Sequence, residues 1–328
     1  MEQVAPWSVE RVLLTKPRGF CAGVERAIEV VEVCLQLYPP PVYVYHEIVH
    51  NTHVVKRLRE AGAIFVDRVA DVPPGAVLVF SAHGISPEVR DAAQTRTLIP
   101  IDATCPLVTK VHREAIQFAK EGCTILLVGH AGHQEVVGTM GEAPERIVLV
   151  ETVEDVARVA VADPDRVAVI TQTTLSIEDT INIIDAIKQR FPKVKFPPKE
   201  DICYATTNRQ RAVKALAGDI DLVLVIGSAN SSNSRRLAEV AKAQGVAAYL
   251  IDDVTKIDPA WFAGIKTVGI TAGASAPEHL VTDVVAFFRQ RGVQTVEERS
   301  VIPEDVRFGL PPELKRELAA RDATRAVG

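Results

Sequence analysis

A chain of 328 residues, 47% hydrophobic and 24% charged, can bury two or three small cores and reads as ordinary globular material. No uninterrupted apolar stretch reaches the roughly 18 residues of a membrane span, and the first residues, with Glu2, Pro6 and Glu10, lack the basic and apolar regions of a signal peptide, so the expected place is the cytoplasm, away from membranes. The net charge of -5 offers no basic field for nucleic acid, and five cysteines without a secretion signal point to metal or redox chemistry rather than a disulfide framework.

Residues 1 to about 10 read as a loose arm. The strand-like Val12-Leu13-Leu14-Thr15 leads to Cys21 and a helix from about Val24, which Pro39-Pro40-Pro41 stops. Val42-Tyr43-Val44-Tyr45 then runs as a strand into His46-Glu47-Ile48-Val49-His50-Asn51, and a helix and short strands at 64–66 and 77–80 follow, the last ending in Ser81-Ala82-His83-Gly84. After a helix from Pro87, the apolar Leu98-Ile99-Pro100-Ile101 reads as a buried strand end. Pro106, at a first helical position, opens an amphipathic run through Val108, Val111, Ala115, Ile116 and Ala119. Cys105 therefore lies on a strand-to-helix turn.

The same order then recurs. Thr124 to Val128 is a strand ending in Gly129-His130-Ala131-Gly132-His133-Gln134-Glu135, a strand lies near 147–150, and 166–170 runs into Thr171-Gln172-Thr173-Thr174 before a helix near Ser176. Cys203 precedes a helix near Thr206; the strand 222–226 ends in Gly227-Ser228-Ala229-Asn230-Ser231-Ser232-Asn233, and 267–270 ends in Thr271-Ala272-Gly273-Ala274-Ser275, with Pro277 opening another helix. From Pro303 the chain is charged and Ala-rich, as expected of a packing tail with a frayed end.

Alternating strands and helices with near-continuous Val/Ile/Leu strands predict parallel sheets covered on both faces, whose ligand-binding groups collect beyond the strands' carboxyl ends. Cys21, Cys105 and Cys203 are roughly 84 and 98 residues apart, close to the size of a small α/β unit, which suggests an internal repeat. The expected division is 11–104 with Cys21, 105–202 with Cys105, 203–300 with Cys203, and a tail over 301–328. Three such units facing one axis would gather three thiols and six polar loops into one cavity.

Three well-separated cysteines admit three readings. Zinc can take three thiolates and a water, but the close C-x-x-C pairs usual in structural sites are absent. An iron-sulfur cluster tolerates distant ligands, and a cubane held by three cysteines keeps one iron open for substrate. The third reading is three buried apolar cysteines, and Cys34, facing with Val30, Val31 and Leu37, and Cys123, just before a strand, fit it. The segment His46-Glu47-Ile48-Val49-His50 matches the zinc-protease pattern H-E-x-x-H, which works only on a helix; here it leaves a β-branched strand, so His50 reads as a loop residue.

The loops carry His83, His133, Glu135, Thr173, Thr174, Ser231, Ser232, Asn233 and Ser275. Singly these are ordinary caps and surface groups. Jointly, hydroxyls, an amide, imidazoles and helix N-termini form a site for a polyanion such as diphosphate, held without Lys or Arg. Glu135 is the candidate proton source, and a neighbouring diphosphate would raise its pKa toward neutrality.

Gly19-Phe20-Cys21-Ala22-Gly23-Val24, His46 to Asn51, Ser81 to Gly84, Asp102-Ala103-Thr104-Cys105-Pro106, Gly132-His133-Gln134-Glu135, Thr171 to Thr174, Cys203-Tyr204-Ala205-Thr206-Thr207-Asn208-Arg209-Gln210 and Asn230-Ser231-Ser232-Asn233-Ser234 closely resemble the 4-hydroxy-3-methylbut-2-enyl diphosphate reductases, the LytB/IspH family. The likeness runs from about residue 11 to residue 315, with no departure at a motif position. It implies an α/β trefoil of three pseudo-equivalent small domains, with mostly parallel sheets, around a central 4Fe-4S cluster. By the family pattern Cys21, Cys105 and Cys203 hold three irons; His50, His83, His133, Ser231, Asn233 and Ser275 bind the diphosphate, with Ser232 beside them; Thr173 lies near the substrate hydroxyl and Glu135 delivers protons.

The implied reaction is the last step of the non-mevalonate isoprenoid pathway, removal of an allylic hydroxyl with two electrons and two protons to give isopentenyl and dimethylallyl diphosphate. Hydroxide leaves poorly, so the resemblance has the alcohol oxygen on the open iron and a proton from Glu135 letting it depart as water. No Rossmann G-x-G-x-x-G follows a strand, so a ferredoxin or flavodoxin is the implied electron donor. The basic residues Lys16, Arg18, Arg209 and Arg211 either receive it or form a solvated helix face. A non-redox hydro-lyase and a non-catalytic iron or redox sensor are the competing readings.

Overall fold

In a computed structural model of the chain, residues 8–327 are described. In chain order the elements are β1 (Arg11–Lys16), α1 (Ala22–Leu37), β2 (Val42–Tyr45), α2 (Thr52–Glu60), β3 (Ala63–Val66), β4 (Val77–Phe80), α3 (Pro87–Thr95), β5 (Ile99–Asp102) and α4 (Pro106–Lys120). There follow β6 (Thr124–Val128), α5 (Gln134–Gly141), β7 (Ile147–Val150), α6 (Val153–Arg158), β8 (Val167–Thr171), α7 (Ile177–Arg190) and α8 (Tyr204–Leu216). The chain closes with β9 (Leu222–Ile226), α9 (Ser232–Ala243), β10 (Ala247–Ile251), β11 (Thr267–Ala272), α10 (Glu278–Gln290), β12 (Thr295–Ser300) and α11 (Pro312–Val327). Helix starts follow local chemistry. Ser86 and Ser176 accept the amides of Val89 and Asp179 at 3.4 and 3.3 Å, and Thr152 and Asp155 form a reciprocal capping box.

The strands form three sheets, ordered β10-β9-β11-β1-β12, β3-β2-β4-β5 and β7-β6-β8. Every strand pairing is parallel, as the α/β reading of the sequence predicts. Among the described residues the five-stranded sheet belongs to one compact unit, made of residues 8–21, 50–52 and 204–306; the other two sheets belong to a second, made of 22–49, 53–203 and 307–327.

Period-two alternation explains why both sheet faces are covered. In the first unit Val12, Leu222, Leu224 and Ile226 pack with Val281, Val284 and Phe288 of α10, while Leu13, Val223 and Val225 pack with Val213 of α8 and Leu237 of α9. In the second, Leu126, Val128, Val167 and Val169 face Ile183 and Ile187 of α7, and Ile125, Leu127, Ala168 and Ile170 face Val111 and Ala115 of α4.

Strand β1 lies between β11 and β12, so the strand leading to Cys21 hydrogen-bonds to the last part of the chain. Most of the expected loose arm falls outside the described residues, but its end is docked. Ser8 Oγ donates to the carbonyls of Phe262 and Ile265 at 3.0 and 2.9 Å, and Val9 is buried. In the expected C-terminal tail, α11 buries Leu314 and Tyr38 donates to Glu317. Among the described residues no helix is long and apolar enough to cross a membrane.

Candidate functional site

Each of the three cysteines singled out by spacing stands immediately before the first residue of a helix, Cys21 before α1, Cys105 before α4 and Cys203 before α8. A thiol at that position sits against the positive end of the helix, which favours thiolate. Their amides are anchored alike. Cys21 N donates to Ala274 O at 3.2 Å, Cys105 N to Ala82 O at 3.0 Å and Cys203 N to Thr173 O at 3.0 Å. Ala274, Ala82 and Thr173 are each the second residue beyond a strand, β11, β4 and β8 respectively, so a polar strand-end loop meets a cysteine turn three times over.

None of the five cysteines is in a disulfide. Cys34 and Cys123 are buried, as the apolar reading expects, and burial together with the charge of Glu317 pushes the Cys34 thiol up to about 12. Cys21, Cys105 and Cys203 are only half buried. Among the described residues no group of three or more His, Cys, Asp and Glu side chains is placed to hold one metal ion. Each of the three thiols is half buried and stands at a helix N-terminus, the chemistry that a thiolate ligand to iron needs.

In the first unit the loops after β9 and β11 build a dense set of neutral donors. Ser231 caps α9, its Oγ accepting from Ser234 N at 3.3 Å, and Ser275 Oγ lies 3.4 Å from Ser231 Oγ while donating to His50 O at 2.8 Å. Asn233 Oδ1 accepts from Ala274 N at 2.8 Å and its Nδ2 donates to Thr206 Oγ1 at 3.3 Å. His50, Ser231, Asn233 and Ser275 are thus brought together, with Ser232 on the first turn of α9. The close approach of β11's loop to α9 requires glycine, since a Cβ on Gly273 would stand 3.0 Å from Ser234 Cβ.

In the second unit His83, His133, Glu135 and Thr173 converge. The His83 and His133 rings are 5.9 Å apart, edge to face. His133 caps α5 by accepting the Glu135 amide at Nδ1, 3.2 Å away, so its neutral ring carries the proton on Nε2, a donor suited to an anion. Glu135 is 2% exposed. One carboxylate oxygen accepts Thr173 N at 2.6 Å and the other Thr173 Oγ1 at 3.0 Å. Burial pushes its pKa up to about 7, against the two Thr173 bonds that lower it and with a smaller push from the Asp201 charge. Thr174 accepts from Gln172 Nε2 at 2.8 Å and orients that amide, whose Oε1 takes the His130 N–H at 3.1 Å.

His46-Glu47-Ile48-Val49-His50 is not helical, and His46 has a φ of 58° with its ring 3.0 Å from Asp67, which removes the zinc-protease geometry. Of the four basic residues considered for a donor surface, Lys16 pairs with Glu298 and Arg18 with Glu278 and Glu298, while Arg211 is exposed. Arg209 is fully buried and cannot receive a partner. Reading the sequence also missed Asp201, a buried carboxylate that accepts Thr171 N at 2.9 Å and Lys110 Nζ at 2.5 Å; only its place two residues before Cys203 hints at it.

The LytB protein family model matches residues 12–289. A 4-hydroxy-3-methylbut-2-enyl diphosphate reductase of Acidothermus cellulolyticus is 55% identical over 322 residues, 98% of this chain and 95% of that protein, and one of Neisseria meningitidis is 54% identical over 307 residues, 93% and 95%. The solved structure of the E-1-hydroxy-2-methyl-but-2-enyl-4-diphosphate reductase from Plasmodium falciparum superposes with a TM-score of 0.93 at 40% identity, covering 96% of this chain and 99% of that one. Cysteines at three helix starts, a buried acid held by Thr173 and likeness over nearly the whole length lead to one conclusion: the chain belongs to the LytB family.

Proposed function

We propose that this chain reductively removes the hydroxyl of 4-hydroxy-3-methylbut-2-enyl diphosphate, giving isopentenyl and dimethylallyl diphosphate, the terminal step of the non-mevalonate pathway. LytB-family enzymes carry an iron-sulfur cluster; here Cys21, Cys105 and Cys203 are assigned to hold it as 4Fe-4S, with one iron open. When bound, the cluster supplies electrons and a Lewis acid for the alcohol oxygen. The balance is two electrons and two protons in, with the allylic C–O bond broken, one hydrogen gained by carbon and water released. The electrons come from a ferredoxin or flavodoxin-type donor.

The observation that carries the reading is Thr173. Its amide and hydroxyl hold Glu135, and its carbonyl holds the Cys203 amide, so one residue ties a buried acid to a cysteine turn. With a pKa of about 7, Glu135 keeps a proton near neutrality. Protonated, its carboxyl donates to Thr173 Oγ1, whose hydroxyl passes a proton toward the substrate oxygen. By the family pattern His50, His83, His133, Ser231, Ser232, Asn233 and Ser275 are assigned to the diphosphate, held by neutral donors and helix N-termini.

Anaerobic purification with iron and sulfide counting tests the cofactor; about four of each per chain is expected, and colourless protein with zinc would overturn it. Turnover should require a low-potential electron donor. Turnover without one would replace the reductase with a hydro-lyase, and failure of reconstituted protein to bind any allylic diphosphate would leave a sensor.

A further inference from the structure

We propose that Arg26, Lys110 and Arg209 are positioning residues for the cluster ligands: each lies in the helix that follows one cysteine and fixes the loop that carries another. This rests on assigning Cys21, Cys105 and Cys203 to the cluster. Arg26 stands five residues after Cys21, Lys110 five after Cys105 and Arg209 six after Cys203. Arg26 is 9% exposed; it donates through one terminal nitrogen to Thr104 O at 2.9 Å and through the other to Asp102 O at 3.4 Å, and so grips the turn of Cys105. Lys110 donates to Lys199 O at 2.9 Å, Glu200 O at 3.5 Å and the Asp201 carboxylate at 2.5 Å, the approach to Cys203. Arg209, 0% exposed, donates from Nε and a terminal nitrogen to Gly19 O at 3.0 and 2.6 Å, and from that terminal nitrogen to Phe20 O at 3.1 Å, the turn of Cys21. The succession is cyclic, Cys21 to Cys105 to Cys203 and back to Cys21.

Charged side chains are rarely as buried as Arg26 and Arg209. Arg209 also pairs with Glu304 at 3.2 Å, and Lys110 with Glu114 at 3.0 Å in addition to Asp201; the remaining donors of each cation are aimed at peptide carbonyls, which has a specific consequence. The carbonyl of Phe20 and the amide of Cys21 are the two ends of one peptide group; Arg209 holds the first and Ala274 O accepts from the second. The Thr104–Cys105 peptide is held in the same way between Arg26 and Ala82 O. A peptide pinned at both ends cannot rotate, so the thiol after it is presented in one direction before any iron arrives. At the third turn the Cys203 amide is held by Thr173 O, while Lys110 fixes residues 199–201. A cation placed only to solubilise a helix would project outward, as the exposed Arg211 does.

Hydrogen exchange read by mass spectrometry on full-length apoprotein tests this with Arg26→Met, Lys110→Met and Arg209→Met. Exchange should become about tenfold faster at 103–105 for Arg26→Met, at 200–203 for Lys110→Met and at 19–21 for Arg209→Met, with the other two cysteine segments unchanged. Anaerobically reconstituted variants should release iron to a chelator faster than wild type, and Lys110→Arg should restore both readouts. A rise confined to the substituted helix, an equal rise at all three cysteines, or no change would overturn the proposal. If Arg209→Met does not fold, Lys110→Met and Lys110→Arg still decide, because that lysine is partly exposed. Wild-type protein that takes up no iron would sink the cluster assignment itself, whatever the exchange pattern.

Discussion

Glu135→Gln should make the protein more stable at pH 8 while abolishing most of its turnover. The carboxyl is buried and its pKa rises from 4.5 to about 7. A raised carboxyl pKa means the folded state holds a proton that the unfolded chain has released. Glu135 therefore costs little below pH 4.5, costs progressively more as pH rises through the window from 4.5 to 7, and levels off above 7 at about 3 kcal/mol. Glutamine keeps the shape, can accept Thr173 N, and does not titrate. The melting temperatures of variant and wild-type apoprotein should nearly coincide at pH 4.5 and separate by on the order of 5 °C at pH 8, the variant higher. Iron content should be unchanged and turnover lower by about 100-fold or more. A melting difference that does not vary with pH would refute the buried-acid argument, and full turnover in the variant would remove Glu135 from the mechanism.

Thr173→Val deletes a hydrogen bond that lowers the Glu135 pKa, so the alkaline limb of the turnover profile should move to higher pH while kcat falls about tenfold or more; an unmoved limb would exclude the hydroxyl from the proton path. Serine in place of Cys21, Cys105 or Cys203 should cut iron content sharply, whereas Cys34→Ala and Cys123→Ala should keep it and lose about 1–2 kcal/mol of stability, as read by metal analysis and denaturant melts. Gly273→Ala should destabilise the first unit by about 1–3 kcal/mol, because the new methyl overlaps Ser234 Oγ and stands 3.0 Å from Ser234 Cβ; Ser234→Ala in the same chain removes the Oγ overlap and should restore part of the loss.

Much of this was legible in the residues. The Val/Ile/Leu runs mark β6, β8 and β9 because these strands are buried on both faces, and a proline at a first helical position placed Cys105 at a helix start. The strand β12, Thr-Val-Glu-Glu-Arg-Ser, carries no apolar signal because it is an exposed edge, and β10, Ala-Ala-Tyr-Leu-Ile at the opposite edge, is only partly buried and lacks the Val/Ile/Leu run of β9. Nothing local tells β1 that its partners lie some 250 residues away. Arg209 reads as a surface charge because arginine usually is one, yet it is fully buried. Its phase, four residues after Ala205 and four before Val213, puts it on the buried face of α8 and could have revealed it.

The pairing of β1 with β11 and β12 orders events during synthesis. At about 5–20 residues per second, the first strand leaves the ribosome well over ten seconds before the segments that will flank it. The amide of Cys21 gains its acceptor, Ala274, only after residue 274 has been made. A fragment ending before β11 would lack Ala274 and both strands that flank β1, so the turn that carries Cys21 takes its shape only once those distant segments are present.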